Sequence, residues 1–373
     1  MNLKGRPRYP LRNPQGSLLI TALWMIAILS IFSFSISQHV RQKITLADRI
    51  DTRNFLNNVS EMGVYQTLYK IRERKEAAEG SYALNDTYTS GQKSFANIPV
   101  GGDGLYTVSY EIQGAEGQPS RTHFGVEDEE GKINVNVLDA KTLAKFFEIV
   151  GDIDQDLAEE LGYAIVDWRD SDNSLSHPEY GGEDDYYEDL EIPYEAKDYS
   201  FESLDELLLV RGMTPELFER FKPFVTIYGV GAININTAPR EVLAGLGMEE
   251  SLIDAIMTFR FGPDREDGTS DDGVFMDTEA ISANLISKVK APQSGVNFLN
   301  QLIAAGRFGV NSVNFRIRSH GMILSKKQIL DIEAVADGEG KILSWSTGLP
   351  RRMSPAELER ATAITKKRDE DQT

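Results

Sequence analysis

Carboxylates are the side chains in this sequence gathered densely enough to do chemistry. From Asp167 to Glu191 there are ten acids, with Glu195 just beyond, against Arg169 alone. Asp170, Asp172, Glu183, Asp184 and Asp185 flank the glycine pair Gly181-Gly182. A second cluster, Asp264-Arg265-Glu266-Asp267-Gly268-Thr269-Ser270-Asp271-Asp272-Gly273, brings Asp264, Asp267, Asp271 and Asp272 around Gly268. Hard oxygen ligands in glycine-containing loops suit Ca²⁺, which takes about six to eight oxygens. Gly268 permits the sharp turn that lets flanking carboxylates converge. The second cluster lacks the full EF-hand pattern and its twelfth-position Glu. The alternative for both is a solvated acidic loop.

Other chemistries find little support. His39, His123, His177 and His320 are scattered, and none has zinc-ligand spacing. The chain has no cysteine, which excludes disulfides and thiolate metal sites, and no Gly-x-Ser-x-Gly elbow. Paired carboxylates within an acidic loop point to metal ligation or solvated charge rather than an acid/base pair. No catalytic residues are expected and the chain is read as a non-enzyme. Its formal net charge of −19 repels nucleic acid and anionic headgroups and attracts cations.

The elements that must position these loops begin with an anchor. Residues 17 to 38, SLLITALWMIAILSIFSFSISQ, contain no charge. At about 1.5 Å per residue such a helix spans roughly 30 Å, the thickness of a hydrocarbon core. The sixteen residues before it carry Lys4, Arg6, Arg8 and Arg12, no acid, and end in Gly16. A secretory signal has a shorter apolar region and a small-residue cleavage site after it. Here the run leads straight into His39, Arg41 and Lys43. The basic leader stays cytoplasmic by the positive-inside rule, so the remainder is translocated across the inner membrane into the periplasm. The Gly16–Ser17 bond offers a processing site on the cytoplasmic side.

Residues 39 to 79 continue as a helix, with Val40, Ile44, Ala47, Phe55, Val59, Met62, Leu68 and Ile71 at helical spacings. Alternating segments supply a sheet: Leu105–Ile112, Thr122–Val126, Val313–Arg318 and Gln328–Val335. The strands lie at both ends of the soluble part. The middle, residues 131–308, is helical and repeated. Gly131-Lys132-Ile133-Asn134-Val135-Asn136-Val137 recurs as Gly231-Ala232-Ile233-Asn234-Ile235-Asn236-Thr237, each followed by apolar-periodic helices. Thr237 is expected to cap the helix that follows, with Pro239 in its first turn. Ser203 and Glu206 have capping-box spacing.

Asn234-Ile235-Asn236-Thr237-Ala238 and its downstream helices look like a helix-hairpin-helix unit. Such units grip DNA phosphates through backbone amides and Lys or Arg. Here the loops are acidic, Gly151-Asp152-Ile153-Asp154 and Gly247-Met248-Glu249-Glu250. Packing or protein contact is therefore favoured, and no nucleic-acid partner is expected.

The basic leader ending in Gly16 resembles the type IV prepilin signature, which implies cleavage by prepilin peptidase before Ser17 and methylation of the new terminus. Most pilins have Glu at the fifth mature position; this chain has Thr21. The glutamate is thought to pair with the amine of a neighbouring subunit in the filament core, so its absence suits a tip subunit. Three further stretches, Asp167-Trp168-Arg169-Asp170-Ser171-Asp172, Gly182-Glu183-Asp184-Asp185-Tyr186-Tyr187 and Ile233-Asn234-Ile235-Asn236-Thr237-Ala238-Pro239, complete a resemblance to the general secretion pathway protein K family, the large minor pseudopilins of type II secretion systems. The resemblance runs from Gly16 to about Thr347.

It implies an α+β fold: a pilin-like long N-terminal helix on an antiparallel sheet, with a large inserted α-helical domain of helix-hairpin-helix or SAM-like type. The expected divisions are a leader at 1–16, a transmembrane half-helix at 17–38 and pilin-like parts at 39–130 and 309–347. The insertion occupies 131–308 and a disordered tail 348–373. The resemblance also implies a non-enzymatic subunit at the pseudopilus tip, partnered by minor pseudopilins I and J, that helps start assembly and supports protein export. It adds weight to Ca²⁺ in the inserted domain. The rival reading is a membrane-anchored DNA-binding protein of a competence or type IV pilus system.

Overall fold

The computed structural model describes residues 14–77, 80–112, 121–265 and 268–371. Helix α1 runs over Pro14–Ala77, a short turn α2 over Gln92–Phe95, and strands β1 to β4 over Ile98–Pro99, Gly104–Ile112, Arg121–Phe124 and Glu127–Asp128. The inserted part holds β5 (Ile133–Asn134), α3 (Ala140–Gly151), α4 (Gln155–Arg169), α5 (Asp184–Glu188), a 3-10 turn at Leu204–Leu209, α6 (Pro215–Phe221), β6 (Val225–Thr226), β7 (Ile233–Asn234), α7 (Arg240–Gly245), α8 (Glu250–Arg260), α9 (Ala280–Val289), α10 (Gln293–Ala304) and β8 (Phe308–Gly309). The chain returns through β9 (Asn314–Ile323), β10 (Gln328–Asp337), β11 (Ile342–Thr347), β12 (Arg351–Arg352) and α11 (Pro355–Asp371). It divides into two compact units, Met1–Phe55 and Leu56–Thr373.

In the first unit the helix from Leu18 to Ile36 is apolar and exposed along its length, and it qualifies by length and composition as a membrane span. Residues 1–13 of the expected leader lie outside the described residues.

In the second unit the sheet order is β1-β2-β9-β10-β11, all antiparallel. Helix α1 buries Leu56, Val59, Val64, Leu68 and Ile71 against Tyr106, Val108, Phe315, Ile317, Leu330, Ile332 and Ala334. The expected stripe is partly corrected: Val59, Leu68 and Ile71 face the core, whereas Val40, Ile44, Ala47, Phe55 and Met62 are exposed and Leu56 and Val64 are buried instead. The reason is close approach. Gly63 and Gly321 are the crossing points, Ser60 Oγ donates to Leu330 O at 2.8 Å, and Ser319 Oγ donates to Ser60 O at 2.8 Å. The face that contains Ser60 and Gly63 is therefore the buried one.

A Cβ at Gly321 would lie 2.2 Å from Ser60 Oγ, 2.7 Å from Ser60 N and 2.9 Å from Leu56 O. Two of those atoms are backbone and cannot rotate away. Gly321→Ala is expected to destabilise by about 1–3 kcal/mol through overpacking, read as a lower urea midpoint at unchanged slope. An unchanged midpoint would show that helix and sheet are not in contact there.

The tail differs from expectation. Residues 351–371 form β12 and α11 rather than a disordered segment. Leu105, Met322 and Ile329 on the second face of the sheet are covered by Met353, Leu358 and Ala361. Asn97 Nδ2 donates to Ala361 O, and Arg351 pairs with both Asp331 and Glu357. The polar composition of 351–371 hid three apolar anchors, Met353, Leu358 and Ala361, that dock it.

The inserted part is a duplication in space as well as in sequence. β5 pairs in parallel with β6, and β7 with β8. Asn136 exchanges two hydrogen bonds with the Phe201 backbone, at 3.0 and 2.8 Å, and Asn236 does the same with Phe275, at 3.0 and 2.8 Å. Arg169, ending α4, donates to the carbonyls of Val135 and Leu138; Arg260, ending α8, donates to those of Ile235 and Ala238. Each half thus has the order strand, two helices, arginine, loop, phenylalanine, helices, strand.

Candidate cation-binding sites and the joint beneath them

The two acidic clusters occupy the equivalent loop of each half, immediately after Arg169 and Arg260. In the first, Asp167 is the last core-facing acid of α4. Its carboxylate accepts from Ser176 N at 3.0 Å and Gly182 N at 3.1 Å, folding the loop back onto the helix end. Asp170 caps α4, and Glu183 precedes α5. Glu183 is only 5% exposed, yet neither of its carboxylate oxygens has a hydrogen-bond partner, and neither does Asp170 Oδ1 or Asp198 Oδ1. Burial, reinforced by the charges of Asp167, Asp170, Asp198 and Asp172, pushes the Glu183 carboxyl up to about 7. Burial and the neighbouring Asp172 and Asp167 also raise Asp170.

Orphaned buried carboxylate oxygens surrounded by like charge are costly, by several kcal/mol each, unless a cation or proton joins them. Carboxylates of this kind suit a hard divalent ion, but among the described residues it is Asp264, Asp271 and Asp272, in the second cluster, whose ligand oxygens lie within 4.8 Å of one another. Of the residues expected from sequence, Asp170, Asp172 and Glu183 belong to the first group of carboxylates. Asp184 does not: its oxygens accept from Ala196 N at 2.9 Å and Asn173 Nδ2 at 2.6 Å, which makes it a loop brace. Asp185 is exposed on α5 and takes no part. Asp198 is an addition, while Asp167, whose two oxygens accept from backbone amides, braces the loop as Asp184 does. Asp198 takes the left-handed region, at φ +53, which Asp tolerates in loops.

In the second cluster, Asp264, Asp271 and Asp272 offer oxygens within 4.8 Å of one another. Asp267 lies outside the described residues. These acids are better satisfied. Asp272 Oδ2 accepts from Gly268 N at 2.7 Å and Thr269 N at 3.2 Å, and Asp271 Oδ1 accepts from Thr269 Oγ1 at 2.8 Å. Hydrogen bonds from Thr269 and the Asp264 backbone lower Asp271. The site is open to solvent, whereas in the first Glu183 is buried although Asp172 is exposed.

Where the insertion meets the sheet lies a polar joint that the sequence did not announce. Asp128, at the end of β4, accepts from Asn234 Nδ2 at 3.1 Å, Thr237 Oγ1 and Ser312 Oγ at 2.5 Å each, and Glu130 N at 2.9 Å. It thereby ties the strand that leaves the sheet to the segment that returns to it. Thr237 is therefore not the helix cap expected; Pro239 holds that position, and the Thr237 hydroxyl is committed to Asp128. Beside it, Glu129 is fully buried between Lys132 at 2.9 Å and Arg316 at 2.6 Å. Those cations hold Glu129 far below the usual carboxylate range despite its burial.

Glu130 accepts from the Val313 and Asn314 amides, at 3.2 and 3.0 Å, and from Asn314 Nδ2 at 2.6 Å. Burial and the adjacent Asp128 charge nevertheless raise its carboxyl from 4.5 to about 8. Between those values the folded chain holds a proton that the unfolded chain has released, so stability falls as pH rises across that window. Glu130→Gln removes this contribution. The variant is expected to gain about 1–3 kcal/mol on the parent between pH 5 and pH 8 in urea unfolding. Parallel pH profiles would contradict the assignment.

The first of the acidic hairpins expected to exclude nucleic acid has a structural role. Asp154 caps α4 by accepting from Leu157 N at 2.9 Å, so a chain carboxylate fills the place a phosphate would take at that helix start.

Comparison with known proteins bears on the whole arrangement. A family profile described as type II secretion system (T2SS), protein K, matches residues 128–230. The type II secretion system protein K of Pectobacterium carotovorum subsp. carotovorum is 37% identical over 81 residues, 22% of this chain and 24% of that protein. That of Aeromonas hydrophila is 40% identical over 89 residues, 23% of this chain and 27% of that protein. These two matches span about a quarter of each relative's length. The Pseudomonas aeruginosa protein K is 25% identical over 259 residues, 65% of this chain and 73% of that protein. Among solved structures, a chain of the GspK-GspI-GspJ complex from enterotoxigenic Escherichia coli has a TM-score of 0.56 at 17% identity, covering 83% of this chain and 99% of that one. The α+β fold expected from sequence is thereby shown, as is the resemblance to protein K.

Proposed function

We propose, on the premise that this chain resembles type II secretion system protein K, that it is a membrane-anchored minor pseudopilin at the tip of the pseudopilus. There it starts assembly with minor pseudopilins I and J and so supports protein export across the outer membrane. One observation carries the reading. The fold likeness covers nearly all of a chain from a GspK-GspI-GspJ complex, so sheet and insertion are matched together rather than one common module alone.

The N-terminal segment supports the anchor. Residues Leu18 to Ile36 present apolar side chains on all sides, as a span in lipid or in a helical filament core requires. Thr21 Oγ1 donates to Leu18 O at 2.9 Å, within its own helix, and supplies no carboxylate for a neighbour's amine. Prepilin peptidase would cut between Gly16 and Ser17, and the new amine would be methylated. The bulky insertion then blocks addition of a further subunit on its side. The role is structural: these parts position and obstruct, and no step of covalent chemistry is assigned to them.

Calcium belongs to the same reading. Asp170, Asp172, Glu183 and Asp198 would hold one Ca²⁺, and Asp264, Asp271 and Asp272 a second; Asp267, expected from sequence, lies outside the described residues. The ion supplies the positive charge that these carboxylates lack.

The test is the mature N-terminus of the chain expressed with prepilin peptidase in the inner membrane. Mass analysis is expected to find a methylated Ser17. A mature chain still carrying Met1 would refute the assignment.

A further inference from the structure

Strand β11 closes the sheet, and its outer edge has no strand beside it among the described residues. Soluble proteins blunt such edges with charge, proline or a bulge. Here Ile342-Leu343-Ser344-Trp345-Ser346-Thr347 contains no charged residue and no proline. A register shift sits at its start, and Ser344 to Thr347 pair regularly with β10. Leu343 is 40% and Trp345 37% exposed.

The exposure continues onto α1. Trp345 lies opposite Ala334, whose side chain faces the helix, and its ring meets that of Tyr65 at 6.2 Å. Met62, Tyr65 and Tyr69 share one helical face and are all exposed. An apolar strand edge and an aromatic helical stripe thus form one strip. At the start of β11 stand Lys341, Arg72 and Lys75 against Glu339; Arg72 Nε donates to Glu339 O at 2.7 Å, and Lys75 pairs with the Glu339 carboxylate at 2.7 Å. Asp337 shares this turn, its Oδ1 accepting from the Glu339 and Lys341 amides, so three cations against two acids leave the corner positive by one on a chain whose net charge is −19.

We propose that the β11 edge is completed by a strand from a different protein. Its apolar side chains seat on Trp345, Tyr65 and Tyr69, and it carries an acidic residue at the Lys341 end. Backbone pairing supplies the attachment, and the aromatic strip selects alternate side chains. A second copy of this chain is the poorer occupant, because two molecules of such net negative charge repel.

The probe rests on the functional reading above: purified minor pseudopilins I and J, mixed with the full chain in detergent. Hydrogen exchange is expected to slow at least tenfold at Leu343–Thr347 in the complex and to stay unchanged in α11. Leu343→Lys and Trp345→Lys are expected to keep the parent's melting temperature and lose at least tenfold in affinity. Affinity within twofold of the parent, or unprotected β11 amides in a formed complex, overturns the strand-addition proposal while the functional reading stands. A parent chain that binds neither protein removes both. A dimer of the chain alone that Trp345→Lys dissolves replaces the partner by a second copy and overturns the proposal.

Discussion

Asp128→Ala is expected to destabilise the unit from Leu56 onward by about 3–5 kcal/mol, the range for breaking a buried, multiply bonded charge. The substitution removes the acceptor shared by Asn234, Thr237, Ser312 and the Glu130 amide. Those side chains come from the second half of the insertion and from the segment leading into β9, so the loss falls on both crossings at once. Asn234 keeps the Tyr82 carbonyl at 3.0 Å, which limits the damage to less than the sum of the bonds. Asp128→Asn, which retains an oxygen acceptor, is expected to cost roughly half as much. The measurement is urea unfolding of the full chain in detergent, with tryptophan emission as the signal. A change below about 1 kcal/mol for Asp128→Ala would mean that the joint is not a structural hinge pin.

Calcium is expected to raise the stability of the parent chain and to leave that of a charge-reduced variant unchanged at this site. At a free concentration of about 100 times the dissociation constant, one bound ion adds about 2.7 kcal/mol to the parent. The double variant Glu183→Gln, Asp170→Asn loses that response. In chelator the order reverses. The variant is then the more stable, because it no longer gathers buried like charges around oxygens that lack donors. The crossing of the two melting curves is the diagnostic result. A variant less stable than the parent in chelator would show that these carboxylates are held by something other than a cation.

Much of the architecture was legible because it rests on periodicity and repetition. The uncharged run after Gly16, the alternating strands at both ends and the repeated Ile-Asn-x-Asn segments all reappear as elements. What stayed hidden depends on long-range pairing. Nothing local distinguishes Thr237 as a helix cap from Thr237 as a donor to Asp128, since its partner lies in another strand. Asp198 joins Glu183 only after the loop has folded back through Asp167, so density of acids pointed to Asp184 and Asp185 instead. The roles of Arg169 and Arg260 follow from matching carbonyls in the two halves, which only the fold brings beside them. Helix α11 fell to composition: its anchors are few, and the apolar face that receives them lies on β2, β9 and β10.

The direct measurement is the mass of the particle formed when the processed full-length chain meets minor pseudopilins I and J in detergent. A single complex with one copy of this chain and at least one of each partner, unable to take up a second copy, is the result expected of a tip subunit. A chain that remains alone, or that adds to itself in an open series, contradicts it.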